Sequence, residues 1–338
     1  YQDILDTGIS DLGLKRVRLI INRLDGDVID WGKTEFSIDP SHDDWITSIA
    51  DNSVMITFIL SFRDDALGGE GREHHPRFRT EEEIQRYLDY VRFIVQHFRG
   101  RVQTFEIWNE PNIGDSAQWI EVDDYINLVR RAVPVIRQEY PEARIQVGST
   151  TYLREQESQE YLFSILGSDI MPLVNVVSWH PMFGTSPEYH AEYYYEYPSI
   201  VKEIKDLASA HGFEGEYEAD EVMWYSVEGT DWDGWSHRYA DTIAAKYVAR
   251  GIVVHLGMDI AVTVDGVSPD LAVPFRTVRN LCTIMAGAKP TSLPVEIDAD
   301  ATSMTSYSFA LPNGDKLLAL WTDGIAVDDD PGVEATVT

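Results

Sequence analysis

Short β-like runs alternate with longer amphipathic segments along most of this chain, a rhythm that predicts parallel βα units. Arg16-Val17-Arg18-Leu19-Ile20-Ile21 reads as a strand, as do Val54–Leu60, Val102–Trp108, Ile145–Ser149, Val174–Ser178, Tyr217–Glu221 and Asp259–Val264. Helix-like segments fill the gaps. Thr80 is placed to cap one of them, with Glu83 at the third helical position, and Tyr87, Val91, Ile94 and Phe98 follow at helical spacing. Val122–Glu139 and Ser236–His255 have the same character.

This pattern predicts an α/β chain built as a (β/α)8 TIM barrel over residues 1–288. The strand count falls one short of eight. Residues 2–12 read as the first helix, which places the first strand before Tyr1 and implies a protein lacking material at one or both ends. Residues 289–338 form a β-strand appendage. In it Met304–Leu311 and Lys316–Trp321 flank the turn Pro312-Asn313-Gly314-Asp315. So few strands do not bury a sandwich of their own: they either pack on the barrel or belong to a truncated β-sandwich.

Composition narrows the picture. Of 338 residues, 44% are hydrophobic and 11% aromatic, enough for a sizeable core. The formal net charge of −30 repels nucleic acid and anionic membranes and leaves a neutral ligand indifferent. No apolar run approaches the length of a membrane span. The single cysteine, Cys282, lies in the apolar stretch Leu281–Met285; it excludes an internal disulfide and reads as a buried small residue rather than a nucleophile.

The strongest chemical signal is Phe105-Glu106-Ile107-Trp108-Asn109-Glu110-Pro111-Asn112, where a strand gives way to a loop. In a parallel barrel that end carries the active site. Strand alternation puts Glu106, Trp108 and Glu110 on one face, towards the barrel mouth, and Phe105 and Ile107 on the other. A carboxyl in a lined pocket has its pKa raised by desolvation and acts as a general acid near neutral pH.

This segment resembles the acid/base motif of clan A retaining glycoside hydrolases, and its Trp-Asn-Glu-Pro-Asn form is most similar to family 39, which includes β-xylosidases. The looser resemblance runs from about residue 10 to 290. It implies Glu110 as acid/base, Asn109 as a contact for the substrate's 2-hydroxyl, and a nucleophilic carboxylate at the end of a later strand. Tyr217-Glu218-Ala219-Asp220-Glu221-Val222-Met223-Trp224 offers Glu221 for that role, with Glu218 as the fallback. On this reading Tyr217, Ala219 and Glu221 face the interior, while Glu216, Glu218 and Asp220 point towards the helices, where charge is costly unless paired.

Arg18 resembles the clan's strand-two arginine and needs an anion inside the barrel, with Glu106 and Glu221 as candidates. His180, ending Val174–His180, resembles the clan's sixth-strand histidine. Met182 stands where the clan often places a tyrosine, and Tyr225 is a candidate substitute. Aromatic residues crowd the expected mouth: Tyr193, Tyr194, Tyr195 and Tyr197 after one strand, Trp224, Tyr225, Trp232 and Trp235 after the next. Trp108 and Trp224 are the two expected to line the site.

Other motifs carry little. His74-His75, beside Gly68-Gly69-Glu70-Gly71, alternate in direction and make a poor chelate; the glycines lack the Gly-Lys-Ser/Thr of a phosphate loop. Asp328-Asp329-Asp330-Pro331 reads as a solvated turn. The expectation is a retaining β-glycosidase with an oligosaccharide or glycoside substrate, first of all a β-xyloside, and with no cofactor, metal, nucleic-acid or membrane partner. A transglycosylase using the same intermediate and a non-catalytic carbohydrate-binding barrel are the alternatives.

Overall fold

The computed structural model describes residues 8–9, 11–19, 36–61, 77–113, 118–226, 237–267 and 269–338. Strands and helices alternate as the sequence pattern requires. In chain order they are β1 (Arg16–Leu19), α1 (Pro40–Asp51), β2 (Met55–Ile59), α2 (Glu81–Phe98), β3 (Thr104–Glu106), α3 (Val122–Glu139), β4 (Arg144–Thr150), α4 (Gln156–Leu166), β5 (Val176–Trp179), β6 (Met182–Phe183) and α5 (Ala191–Ala210). There follow β7 (Glu216–Met223), β8 (Tyr225–Ser226), β9 (Arg238–Tyr239), α6 (Asp241–Gly257), β10 (Ala261–Val264) and α7 (Ala272–Ile284). The chain ends in β11 (Lys289–Thr291), β12 (Ile297–Ala299), β13 (Met304–Ala310), β14 (Lys316–Thr322) and β15 (Ala335–Val337). The main sheet runs β1-β2-β3-β4-β5-β7-β10, with β6 beside β7. Parallel strands in sequence order, each followed by a helix, make this a (β/α)8-type barrel. The expected first helix over residues 2–12 lies largely outside the described residues, as do Ile20, Ile21, the segment holding His74-His75, and Trp232 and Trp235.

The described residues divide into two compact units. The first holds Leu14–Pro181 and Lys202–Asp220; the second holds Met182–Val201 and Glu221–Thr338. In the first, apolar residues of the outer strand face meet the helices. Phe58 of β2 packs on Phe98 of α2 with ring centroids 5.3 Å apart, and both are buried. Each such aromatic contributes about 1.5–3 kcal/mol by leaving water. The helical spacing of Tyr87, Val91, Ile94 and Phe98 is the buried stripe of α2. Thr80 and Glu83 close the expected capping box, each satisfying the other's backbone N–H.

In the second unit, β13 and β14 pair as the expected hairpin, with β11 on the other edge of β13. Phe309 of β13 is fully buried with Val253 of α6 and Met285 of α7, so the short sheet gains its core from those helices. Cys282 lies half-buried in α7, and burial pushes its thiol pKa up. Among the described residues no helix is long and apolar enough to cross a membrane.

Candidate active site

The inner face of the first unit's sheet follows from strand register. Arg18 pairs with Thr57, Ile59 with Glu106, Glu106 with Gln146, and Ser178 with Glu218. The side chains at these positions are mostly polar, and they satisfy one another. Arg18 grips Glu106 with two hydrogen bonds, Nε to Oε2 and Nη2 to Oε1, both 2.7 Å. Its Nη2 also donates to Asn109 Oδ1 at 2.6 Å and to Ser149 Oγ at 2.9 Å, and its Nε lies 3.3 Å from Asp220 Oδ2. Gln146 Nε2 reaches Glu106 and Asp220 at 3.1 Å each. Glu106 and Asp220 are buried, and bidentate pairing with Arg18 is what makes the burial of Glu106 tolerable.

Two local features bring Glu110 to this network. Trp108 and Glu110 both adopt left-handed backbone, with φ of 69° and 48°. Strand alternation therefore stops at Glu106, where β3 ends. Asn109 turns inward to Arg18, while the Glu110 N–H donates to the Ser149 carbonyl at 3.1 Å. The second feature is Gly148, at φ +106°, where a Cβ would come within 2.2 Å of the Ser178 carbonyl oxygen. Only glycine permits that approach, and the register of β4 against β5 shifts there. The irregularity aims the Ser149 side chain inward. Asn112 ties the two loops together, accepting from the Thr151 N–H and donating to the Thr151 carbonyl and Ser158 Oγ.

Glu110 is the outermost of these carboxyls, its side chain 13% exposed. His180, fully buried just beyond β5, places Nδ1 3.1 Å from Glu110 Oε1. The other ring nitrogen lies 3.4 Å from both Ser149 Oγ and Asp220 Oδ1. Burial pushes the Glu110 pKa up. The hydrogen bond and charge of His180, with help from Thr151 and Arg18, outweigh it and hold the carboxyl below its ordinary value. This corrects the expectation of a pKa raised by desolvation. Desolvation does raise Glu106, which has Arg18 opposing and Asp220 reinforcing the shift.

The face assignment on β7 is also corrected. Tyr217 packs outward, against Phe213 and beneath Lys205. Glu216 meets Arg16 and Arg144, and Asp220 meets Arg18, Gln146 and Ser149, so as far as Asp220 this parity points inward. These carboxylates were expected to face the helices, where charge is costly unless paired; they face inward instead, where arginines of β1 and β4 offset their charge. Arg18 accordingly pairs with Glu106, as expected, and with Asp220, which was not foreseen. Of the four carboxylates on β7, Glu218 and Asp220 are 5% and 1% exposed, and Glu216 lies at the strand's start. Glu221 is half-buried and lies past the last residue paired with β5.

In the second unit, burial raises the Tyr225 hydroxyl pKa, with the charges of Asp265 and Glu221 adding to the shift. That places Tyr225 within electrostatic reach of Glu221. Met182 is buried in β6 and pairs with Val222.

Both tryptophans expected to line the site are packing residues instead. Trp108 is fully buried edge-on to Phe78 and Tyr87, with its indole N–H on the Gln118 carbonyl. Trp224 is 5% exposed, donates to the Thr185 carbonyl, and lies so close to Gly251 that a Cβ there would come within 2.3 Å of its ring. Neither offers an open face for a sugar ring. Gln146, Ser149 and Asp220 were missed by sequence reading. The polar run Ser149-Thr150-Thr151 at the end of a buried strand was the available signal.

No protein-family profile matches this sequence, and no curated protein does. Solved structures do match. A family 39 glycoside hydrolase from the gut symbiont Bacteroides cellulosilyticus WH2 aligns over 94% of this chain with a TM-score of 0.66 and 14% identity; the chain spans 66% of that protein's length. A GH39 β-xylosidase from Caulobacter crescentus aligns over 90% of this chain and 74% of its own, with a TM-score of 0.58 and 15% identity. The endo-β-1,4-mannanase from Thermotoga petrophila aligns over 91% and 79%, with a TM-score of 0.54 and 14% identity. What is shared at such identities is the fold.

Proposed function

We propose that this chain is a retaining glycoside hydrolase that cleaves β-glycosides, first of all β-xylosides, with Glu110 as acid/base and Glu221 as nucleophile. The observation that carries the reading is Glu110 itself. It is a largely buried carboxyl at the mouth end of a barrel strand, held by His180 and hung from a strained Trp-Asn-Glu turn, in a fold shared with family 39 enzymes. Strain of this kind concentrates at functional sites. Glu221 is favoured over Glu218 because a nucleophile must be reached by substrate, and Glu221 is the more exposed of the two.

In the first step the Glu221 carboxylate attacks the anomeric carbon. The bond from that carbon to the leaving oxygen breaks as Glu110 gives the oxygen its proton. In the second step Glu110, now ionised, takes a proton from water. The water oxygen attacks the anomeric carbon and frees the Glu221 carboxylate. Arg18 holds the Asn109 amide by its oxygen, which leaves Nδ2, now on Gln118, as the group to meet a sugar hydroxyl. Tyr225 supplies the hydroxyl near Glu221 that Met182 does not.

The test is intact mass after incubation with 2-fluoro glycosides bearing good leaving groups, followed by peptide mapping. A glycosyl adduct on Glu221 is expected. An adduct on Glu218 would reassign the nucleophile and keep the reaction class. No adduct with any sugar, together with measurable sugar binding, would favour the non-catalytic carbohydrate-binding barrel. Transfer to sugar acceptors exceeding hydrolysis would mark a transglycosylase.

A further inference from the structure

Ser149 carries one hydroxyl hydrogen and faces two buried carboxyl groups. Its Oγ lies 2.7 Å from Glu106 Oε1 and 2.5 Å from Asp220 Oδ2. The serine's own hydrogen fills one of these contacts. The other is an oxygen–oxygen approach at hydrogen-bonding distance for which Ser149 has no second hydrogen. Arg18 Nη2 donates to Ser149 Oγ from a third direction and takes up one of its lone pairs. Two acceptor oxygens this close repel unless a proton lies between them.

Charge points the same way. Glu106, Asp220 and Glu110 are three largely buried carboxyls, and Arg18, paired with the first two, and His180, between the last two, are the groups beside them that can carry positive charge. An uncompensated carboxylate in such a setting is costly. Asp220 Oδ1 accepts no hydrogen bond among the described residues, and Gln146 Nε2 has two hydrogens for three acceptors: Glu106, Ser178 and Asp220. The network is thus short of hydrogens. The desolvated, upward-shifted Glu106 is consistent with a carboxyl that keeps one.

We propose that Glu106 and Asp220 share a single proton through Ser149, and that this buried acid pair acts as a positioning element for His180 and, through it, for Glu110. In one arrangement Glu106 donates to Ser149 and Ser149 donates to Asp220. In the other both hydrogens have moved one place along the line. No net proton or charge is gained in passing between them. Several other groups surround the pair: Asn109 after β3, Gln146 on β4, His180 after β5, and Glu218 on the same face of β7. Tyr87 of α2 and Tyr125 of α3 feel the Glu106 charge, and Tyr125 that of Asp220 as well. The link to Glu110 runs through His180 Nε2, 3.4 Å from Ser149 Oγ and from Asp220 Oδ1; its catalytic meaning rests on the proposed glycosidase reading.

Infrared spectroscopy tests the shared proton without reference to any activity. At about pH 7.5, where ordinary carboxyls are ionised, the protein is expected to show a carboxylic-acid C=O band. Glu106→Gln and Asp220→Asn are each expected to abolish it, because either leaves one carboxylate paired with Arg18. No band in the unmutated protein overturns the proposal, and so does a band that survives in either variant. If those variants do not fold, Ser149→Ala keeps both acids but removes the acceptor, and is expected to move the band to higher frequency. An unmoved band there counts against Ser149 as the bridge. Once hydrolysis is established, Asp220→Asn is expected to carry the basic limb of the kcat/KM profile upward by about one pH unit, since the pair's one negative charge is then confined to Glu106 and no longer shared with the carboxyl that faces His180 Nε2. A uniform fall in kcat with an unmoved limb overturns the link to Glu110.

Discussion

Trp108 and Glu110 occupy left-handed backbone, a conformation that costs a side-chain-bearing residue about 1–2 kcal/mol. The cost is offset by Trp108, whose buried ring and indole hydrogen bond hold the turn in place. What the turn achieves is the placement of Asn109 on Arg18 and of Glu110 on His180. Two expectations follow at this scale. Glu110→Gln should lower kcat/KM on glycosides with poor leaving groups by about 10²–10⁴-fold, and much less where the leaving group departs unaided, read by comparing aryl glycosides. His180→Gln removes a cationic partner but keeps a hydrogen-bond donor. The groups that hold Glu110 down weaken while its burial remains, so its pKa rises. The acid form then persists to higher pH, and the basic limb of the kcat/KM profile should move upward. An unmoved limb would show that His180 does not set the charge on Glu110. The residue string around Glu110 was legible in the sequence. The left-handed turn was not, because alternation assumes a strand that in fact stops at Glu106.

Elements with purely local causes were read most faithfully. The Thr80–Glu83 capping box needs nothing beyond its own turn, and Thr80→Ala should cost about 1 kcal/mol in chemical denaturation. Glu83 is pushed up by burial, but the N–H groups of Thr80, Arg77 and Arg79 win and hold it below its ordinary value. Its contribution is therefore present above the ordinary carboxyl pKa and is lost as pH falls through the lowered one. The stability lost in Glu83→Gln should therefore shrink over that acid range. Elements whose role depends on a neighbour were read less well. The period of β7 is plain, yet alternation is symmetrical and does not say which parity faces inward; Arg16, Arg18 and Arg144 on other strands decide it. Gly251 shows the same dependence. Gly251→Ala would press on the Trp224 ring and should destabilise the protein by about 1–3 kcal/mol, read from its unfolding midpoint.

On the scale of the whole molecule, the net charge of −30 sets a self-repulsion that salt relieves. Screening length falls from about 10 Å at 0.1 M to about 3 Å at 1 M. The melting temperature should therefore rise across that range of sodium chloride, and a flat response would show that surface repulsion is not limiting stability. The sequence by itself determined the alternation of strands and helices, the capped and amphipathic helices, the hairpin at Pro312–Asp315 and the place of Glu110 where a strand gives way to a loop. These depend on neighbours within a few residues, where period, capping and turn chemistry act. Only the tertiary structure decided that Glu106 and Asp220 share Arg18, that Ser149 lies between them, and that Trp108 and Trp224 are packing residues rather than sugar platforms. Each of these joins residues far apart in the chain, and burial and pairing exist only once the strands lie side by side.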